Sequence, residues 1–313
     1  LEVTIEMKIV FLDHAIVNPG DLSWEPLQRL GELEYYKRST RAEASDRAAD
    51  ADVLIVDAFG MDKDFIESCP ALKLIVIAAT GFNHVDIKTA GERGIGVANV
   101  PSYAAETVAQ HAFALLLSLT NSIGIYGEAV RNGEWQTAKD YTFIKAPITL
   151  LAGKTIGIVG YGSIGKKIAS IAEGFGMKVN IYSRDAEAAI TSDVVSLSCP
   201  LTEDNIHMVD ADFISKMKDG AFLINTARGK LIDESALADA LTTGKLAGAG
   251  LDVMAEEPPV GGSPLLGVPN CHITPHIAFI APESRQTIMD VCADNIESFA
   301  EGGRLNRLDE NTG

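Results

Sequence analysis

Three side chains in this sequence have the types that carbonyl–alcohol chemistry needs, and each follows a short apolar run. Arg228, in Asn225-Thr226-Ala227-Arg228-Gly229, comes directly after Ala221–Asn225. A guanidinium there can grip a carboxylate through two hydrogen bonds and polarise the carbonyl beside it. His276, in Thr274-Pro275-His276-Ile277-Ala278, is the natural acid–base group, because an imidazole changes charge near neutral pH. Glu257 precedes Pro258-Pro259, where an extended, rigid backbone is expected to fix its direction. A carboxylate beside His276 would favour the protonated ring and keep it a proton donor. Taken singly, each has a blander explanation: an arginine in a surface turn, a solvated loop carboxylate, a core histidine bonded to backbone. His272 and His276 stand at i, i+4, but Pro275 breaks any helix between them and no H-E-x-x-H pattern exists, so no metal site is expected.

The elements that must position these groups centre on Lys154–Arg184, KTIGIVGYGSIGKKIASIAEGFGMKVNIYSR. Thr155–Val159 reads as a buried strand and breaks at Gly160-Tyr161-Gly162-Ser163-Ile164-Gly165. Ile164, Ile168, Ile171 and Ala172 then recur at helical spacing until Gly174 and Gly176, and Val179–Tyr182 reads as a second strand. This is a strand–helix–strand unit with G-x-G-x-x-G at its first turn. Gly160 permits the tight turn, Gly162 lets backbone N–H groups approach a diphosphate, and Gly165 allows close helix-on-strand packing. A dinucleotide is the expected ligand, and hydride transfer the reaction it brings. An acidic residue is expected at the end of the second strand, to hold the ribose hydroxyls. Here Tyr182 is followed by Ser183 and Arg184, with Asp185 one further. A hydroxyl and a guanidinium suit a 2′-phosphate, so NADP is expected to be accepted at least as well as NAD.

The rest of the chain alternates in the same way. Lys8–Leu12, Val53–Val56 and Leu74–Ala78 read as buried strands, with helices over Glu25–Leu30, Asp62–Ser68 and Asp86–Arg93. Pro101–Leu119 reads as a long apolar helix with a proline start, and Asn121–Leu150 as an arm or interface segment. Val194–Leu197, Ala221–Asn225, Gly248–Val253 and His272–Thr274 follow as strands, Asp233–Thr243 as a helix ended by Gly244, and Glu283–Glu301 as a final helix. Such alternation implies parallel sheets covered on both faces. The last helix, with apolar Ile288, Val291, Ile296 and Phe299, is expected to return to the first domain. The expected division is residues 1–99 plus 281–313 for one domain and 100–280 for the dinucleotide-binding one.

Length and composition agree with this reading. The 313 residues suffice for two domains that each bury a core. No apolar run approaches the ~18 residues that would cross a bilayer, and the acidic first residues lack the basic start of a secretion signal, so a cytoplasmic protein is expected. MKIVFLD from Met7 reads as a natural start, with residues 1–6 as an extension. The net charge of −17, scattered along the chain, disfavours nucleic acid and anionic membranes as partners. Cys69, Cys199, Cys271 and Cys292 show no C-x-x-C spacing and read as small hydrophobes.

GYGSIG, NTARG at Arg228, GLDVMAEEP at Glu257 and TPHIA at His276 stand in the order and spacing of one family. From about Met7 to Arg307 the sequence resembles the D-isomer-specific 2-hydroxyacid dehydrogenases, most of all the glycerate dehydrogenase (hydroxypyruvate reductase) branch. The resemblance implies two doubly wound α/β domains, a Rossmann-type cofactor domain and a flavodoxin-like substrate domain with a cleft between them, and a homodimer formed through the cofactor domain. It implies that Arg228 orients the substrate carboxylate and carbonyl, that His276 exchanges the proton, and that Glu257 pairs with His276. It further implies a substrate loop at Ala79–Asn83, with Thr80, Gly81 and Phe82 as contacts, and places Thr226 and Asp252 near the nicotinamide. The candidate cofactor contacts are then Gly160, Gly162, Ser163, Ile164, Gly165, Ser183, Arg184, Cys199, Pro200, Thr226, Ala227, Asp252 and Thr107.

Two departures stand out. The family commonly has a further helix and strand before its SDVVSLSCPLT-like segment, whereas here only Asp185–Ser192 bridge the two. Phe279 also stands where the family often has glycine. A cofactor-sensing regulator on the same fold is the alternative function, but the acidic chain shows no low-complexity extension to support it.

Overall fold

The computed structural model describes residues 7–309, so the reading of residues 1–6 as an extension lies outside the described residues. Contacts divide the chain into two compact units. One runs through Tyr103 and resumes at Ile280; the other is Ala104–Phe279.

The first unit begins with β1 (Met7–Phe11), α1 (Glu25–Gln28), β2 (Gly31–Tyr35), α2 (Arg41–Ala48), β3 (Val53–Val56), α3 (Lys63–Glu67), β4 (Leu74–Ile77), α4 (Ile87–Glu92) and β5 (Gly96–Ala98). Its strands are all parallel, in the order β2-β1-β3-β4-β5. That is the flavodoxin-like order. β3 and β4 are buried throughout, which is why they read as unbroken apolar runs. Thr40, Asp62 and Asp86 cap α2, α3 and α4 by accepting a backbone N–H from the first turn.

The second unit begins with α5 (Ala105–Asn121) and α6 (Ile123–Arg131), which meet at Ser122, a residue with φ of 51°. Pro101 does not start α5. The expected proline start fails because Ser102 takes a left-handed φ of 57°, and the helix begins only after Ala104. Then come β6 (Thr155–Val159), α7 (Ser163–Gly174), β7 (Lys178–Ile181), α8 (Ala186–Ile190), β8 (Val194–Leu197), α9 (Ala211–Lys216), β9 (Ala221–Asn225), α10 (Glu234–Thr242), β10 (Leu246–Leu251) and β11 (Cys271–Ile273). These strands are also all parallel, in the order β11-β10-β9-β8-β6-β7. The order reverses beside β6, and in open α/β sheets ligands bind at the carboxyl ends of strands at such a reversal. The short bridge after β7 accommodates only the one-turn helix α8, so no strand lies outside β7 and β7 is the sheet edge. Gly157 makes the close fit of α8 possible, since a Cβ there would lie 2.0 Å from the Ala189 carbonyl oxygen.

The last helix, α11 (Pro282–Ala300), belongs to the first unit, where it packs on α1 and β4. Ile288 and Ile296 are buried there, whereas Val291 and Phe299 are only partly covered. Among the described residues no single helix is long and apolar enough to cross a membrane.

Candidate active site

Within the second unit, the turns that follow β6, β8, β9, β10 and β11 carry nearly all the residues singled out by the sequence. After β6, Gly160 has φ of +98°, and a Cβ on it would lie 2.4 Å from the Cys199 nitrogen. A Cβ on Gly165 would meet the Gly160 carbonyl oxygen at 2.1 Å, so the start of α7 can sit on the turn only without a side chain. Gly162 differs, with nothing within 4 Å of its Cβ position. Ser163 and Ile164 form the first turn of α7, which no side chain caps. An uncapped helix start beside open space suits a phosphate group, through its unpaired N–H groups and the helix dipole.

Three buried hydroxyls of this unit lack a partner among the described residues: Ser196 Oγ lies within β8, and the other two follow strand ends. Ser198 Oγ, just past β8, and Thr226 Oγ1, just past β9, are buried without a hydrogen-bond partner among the described residues. Buried hydroxyls are rarely left so. Uncapped helix start, open Gly162 and orphaned hydroxyls together fit a dinucleotide. Cys199 and Pro200 follow β8 directly, Cys199 as the wall behind Gly160, while Thr107 sits in the first turn of α5 with its hydroxyl 3.3 Å from the Ala104 carbonyl.

At the end of β7, Ser183, Arg184 and Asp185 are exposed. Arg184 holds its guanidinium 5.5 Å from the centre of the Tyr161 ring, in the glycine-rich turn. Asp185 instead caps α8, its Oδ1 accepting the Ala188 N–H at 3.0 Å.

Arg228 is held by Asn225. That fully buried side chain accepts the Ala227 N–H at 2.9 Å and donates to the Arg228 carbonyl at 2.9 Å, tying off the loop that presents the guanidinium. Gly229 lets the loop lie flat against the next one, since a Cβ there would fall 1.9 Å from the Met254 carbonyl carbon.

Glu257 and His276 meet. Glu257 Oε2 is 2.6 Å from His276 Nδ1, while Oε1 accepts the Met254 N–H at 2.8 Å. The Glu257–Pro258 bond is cis, and the Glu257 carboxylate is held by these two contacts. The hydrogen bond to Glu257 raises the His276 pKa above the ordinary histidine value; burial opposes it, and the charges of Glu257 and Asp252 reinforce it. Burial pushes Glu257 upward, but the bond from His276, its charge and the Met254 N–H outweigh this and hold the carboxyl below its usual range. Both directions favour the charged, imidazolium–carboxylate form of the pair. The His276 side chain is 43% exposed, so the ring remains reachable. The Phe279 ring packs against it nearly perpendicular, with ring centroids 5.9 Å apart.

The backbone of His276 is unusual, with φ of 55°. A left-handed, non-glycine residue at such a place needs support from its surroundings. Asp252 supplies it. The Asp252 carbonyl accepts the His276 N–H at 2.8 Å, and its carboxylate accepts the N–H groups of Ile277 at 2.9 Å and Ala278 at 2.8 Å. Asp252, 1% exposed, also takes the Thr274 hydroxyl at 2.6 Å. Burial would raise its pKa, but these bonds and one from His111 hold it below the usual carboxylate range.

The loop Ala79–Asn83 lies in the first unit, after β4. Thr80 donates its hydroxyl to the Val100 carbonyl at 2.8 Å and accepts the Asn99 amide on its own carbonyl at 2.8 Å, which shapes the turn carrying Gly81 and an exposed Phe82. His272 is engaged by Ser118, at 2.9 Å. His111 has no signal in sequence spacing, since it meets Thr274 from 163 residues away, whereas Asn225 acts within the Asn225–Gly229 motif itself.

Comparison with known proteins finds relatives along nearly the whole chain. The profile of the D-isomer specific 2-hydroxyacid dehydrogenase, NAD binding domain, matches residues 113–278. The chain is 41% identical over 318 residues to a hydroxypyruvate reductase of Blautia hydrogenotrophica, covering 96% of this chain and 99% of the relative. It is 41% identical over 279 residues to a glycerate dehydrogenase of Methylorubrum extorquens, covering 86% of this chain and 89% of the relative. Among solved structures, a D-lactate dehydrogenase from Aquifex aeolicus complexed with NAD and lactic acid superposes with a TM-score of 0.82 at 28% identity, over 96% of this chain and 99% of that one.

Proposed function

The chain belongs to the D-isomer-specific 2-hydroxyacid dehydrogenases, and from that footing we propose that it interconverts a small D-2-hydroxy acid and its 2-oxo acid, with hydroxypyruvate or glyoxylate as the oxo acid. The observation that carries this is the 2.6 Å pairing of Glu257 with His276, beside the Asn225-braced loop that carries Arg228, whose Nη1 donates to the Ala227 carbonyl at 2.7 Å. When bound, the nicotinamide cofactor supplies or accepts the hydride. Arg228 binds the substrate carboxylate and polarises the neighbouring carbonyl. His276, kept protonated by Glu257, gives its proton to the carbonyl oxygen in reduction and takes it back in oxidation. Asp252 orients the loop of His276 through backbone, and Phe279 packs edge-to-face with the imidazole. The hydroxypyruvate assignment draws on the names of the two relatives at 41% identity, and glyoxylate on a glyoxylate reductase of Thermococcus litoralis, 36% identical over 300 residues that cover 88% of this chain and 89% of the relative.

For the cofactor, Gly160, Gly162 and Gly165 with the start of α7 would take the diphosphate, and Ser198 and Thr226 would gain partners. Asp185, committed to capping α8, leaves Ser183 and Arg184 to meet the adenosine ribose, which supports acceptance of NADPH at least as well as NADH. The unit Ala104–Phe279 is the cofactor domain in this reading, and the remaining unit the substrate domain. We also read the protein as a cytoplasmic homodimer. Support comes from four free cysteines, and from the exposed apolar side chains of Ile123, Trp135, Tyr141 at 89%, Ile144 at 93% and Leu150 on and after α6.

The test is the loss of reduced-nicotinamide absorbance, with NADH and then NADPH, against hydroxypyruvate, glyoxylate, pyruvate and 2-oxoglutarate. Fast turnover of hydroxypyruvate or glyoxylate is expected. Turnover confined to the other two acids would overturn the substrate assignment, and sedimentation as a monomer would overturn the dimer.

A further inference from the structure

His111 lies on α5, away from every motif of the sequence, yet its Nε2 stands 2.9 Å from Thr274 Oγ1 and 3.3 Å from Asp252 Oδ1. The single hydroxyl proton of Thr274 is committed to Asp252 Oδ1 at 2.6 Å. Thr274 can therefore only accept from His111, and the Nε2 of His111 must carry a proton. The ring thus donates to a buried carboxylate and to the hydroxyl that braces it. Asp252 in turn holds the left-handed His276 backbone through three N–H groups.

Few other charges reach this ring from the elements packed on α5, which are α7, β9, β10 and β11. β9 and β10 carry no titratable side chain; α7 carries Lys166, Lys167 and Glu173, and Lys167 is paired with Glu106 of α5 itself. β11 carries Cys271 and His272, the latter bonded to Ser118. The turns beyond β10 and β11 carry Asp252, Glu256, Glu257 and His276. Asp252 is the one with which His111 shares a contact.

We propose that His111 is a positioning residue for the reaction: by donating from Nε2 to Thr274 and Asp252 it holds Asp252 in the arrangement that carries the His276 backbone, and it sets how much of the Asp252 charge is left to act on the His276 ring. The proposal rests on His276 being the acid–base group. The charge of Asp252 favours the protonated form of His276. Removing the donor leaves that charge less compensated, so the acid–base limb of His276 moves to higher pH. The loop, meanwhile, loses one of its supports, and catalysis slows.

The experiment compares His111→Leu, which fills the space without donating, with His111→Gln, whose amide nitrogen reaches to about where Nε2 stands. Both are measured as full-length protein for kcat against pH, cofactor affinity and melting temperature, with His276→Ala alongside. His111→Leu is expected to lose ten- to a hundredfold in kcat, the scale set by slight misplacement of a reacting group. Its pH limb moves upward, cofactor affinity is unchanged, and His111→Gln restores most of the rate and the wild-type limb. Equal impairment of both variants, or a Leu variant with the wild-type rate and pH profile, overturns the proposal. If His111→Leu does not fold, Thr274→Val against Thr274→Ser carries the comparison, with the same upward shift expected only for valine. An inactive His276→Ala beside an unaffected His111→Leu sinks this proposal alone. An active His276→Ala sinks the assignment of His276 as well.

Discussion

Glu257 reaches His276 with one carboxylate oxygen and the Met254 N–H with the other, so the group that polarises the imidazole is itself fixed at both ends. A carboxylate held in this way raises the histidine pKa with little need to reorganise.

The pH dependence of turnover follows. In the proposed mechanism reduction draws on protonated His276, so it should persist above the ordinary histidine pKa and fall as pH rises through the raised value, while oxidation, which needs the neutral ring, should rise over the same range. Glu257→Gln removes the largest cause of the rise, and both limbs move to lower pH. Above the displaced limb, the reduction rate drops about tenfold for each pH unit of displacement. Rate–pH profiles in both directions check this, and unmoved limbs would exclude Glu257 as the source of the shift.

The Gly229 contact predicts a substitution that couples two loops. In Gly229→Ala the new methyl would sit 1.9 Å from the Met254 carbonyl carbon, which is backbone and cannot swing aside. The Arg228 and Glu257 loops must part, at a cost of about 1–3 kcal/mol of stability for overpacking. We expect kcat/KM for the oxo acid to fall more than cofactor affinity. A variant with wild-type melting temperature and turnover would show that the two loops do not rest on each other.

Much of this was legible in the sequence, for physical reasons that also mark where reading stopped. β3, β4, β6, β8 and β9 lie buried between helices, so each appears as an apolar run, and the runs coincide with the strands to within a residue. β2 is an edge strand of mixed exposure, GELEY, and β5 has only three residues; neither carries such a run. α2 buries only Ala44 and Ala48 and is otherwise polar, so no apolar stripe announces it. Arg228, Glu257 and His276 stood out because their chemistry is local to short motifs. His111 and the double duty of Asp252 did not, because their partners are fixed by how strands align and how α5 crosses them; Asn225 bonds only two and three residues ahead, but as a polar residue ending an apolar strand run it did not stand out.

The edge of β7 predicts how the cofactor choice responds to mutation. Arg184 is exposed and rests over Tyr161, while Asp185 is tied to α8. Arg184→Ala should weaken kcat/KM for NADPH by about tenfold, the worth of one charge-assisted contact of ~1.4 kcal/mol, and leave NADH nearly unchanged. Asp185→Ala should lower stability by about 1 kcal/mol through the lost helix cap and affect both cofactors alike. An NADH-specific loss in the Asp185 variant would assign the ribose to that carboxylate.

The glycines of the turn after β6 separate folding from ligand binding. Gly165 abuts the Gly160 carbonyl oxygen, so Gly165→Ala must push α7 off the turn and lower the melting temperature whether or not cofactor is present. Gly162 has φ of −79° and nothing within 4 Å of its Cβ position. An alanine there meets no protein atom, so Gly162→Ala should fold with wild-type stability. Its methyl would instead stand in the space beside the uncapped start of α7, where a diphosphate needs close backbone approach. We expect its cofactor dissociation constant to rise by about tenfold or more, equivalent to ~1.4 kcal/mol, with no change in melting temperature of the free protein. Melting curves without cofactor, paired with fluorescence titrations of NADH and NADPH, read the two effects apart. Unchanged cofactor binding in Gly162→Ala would mean that the diphosphate lies elsewhere, and with it the orientation of the nicotinamide toward His276 would have to be redrawn.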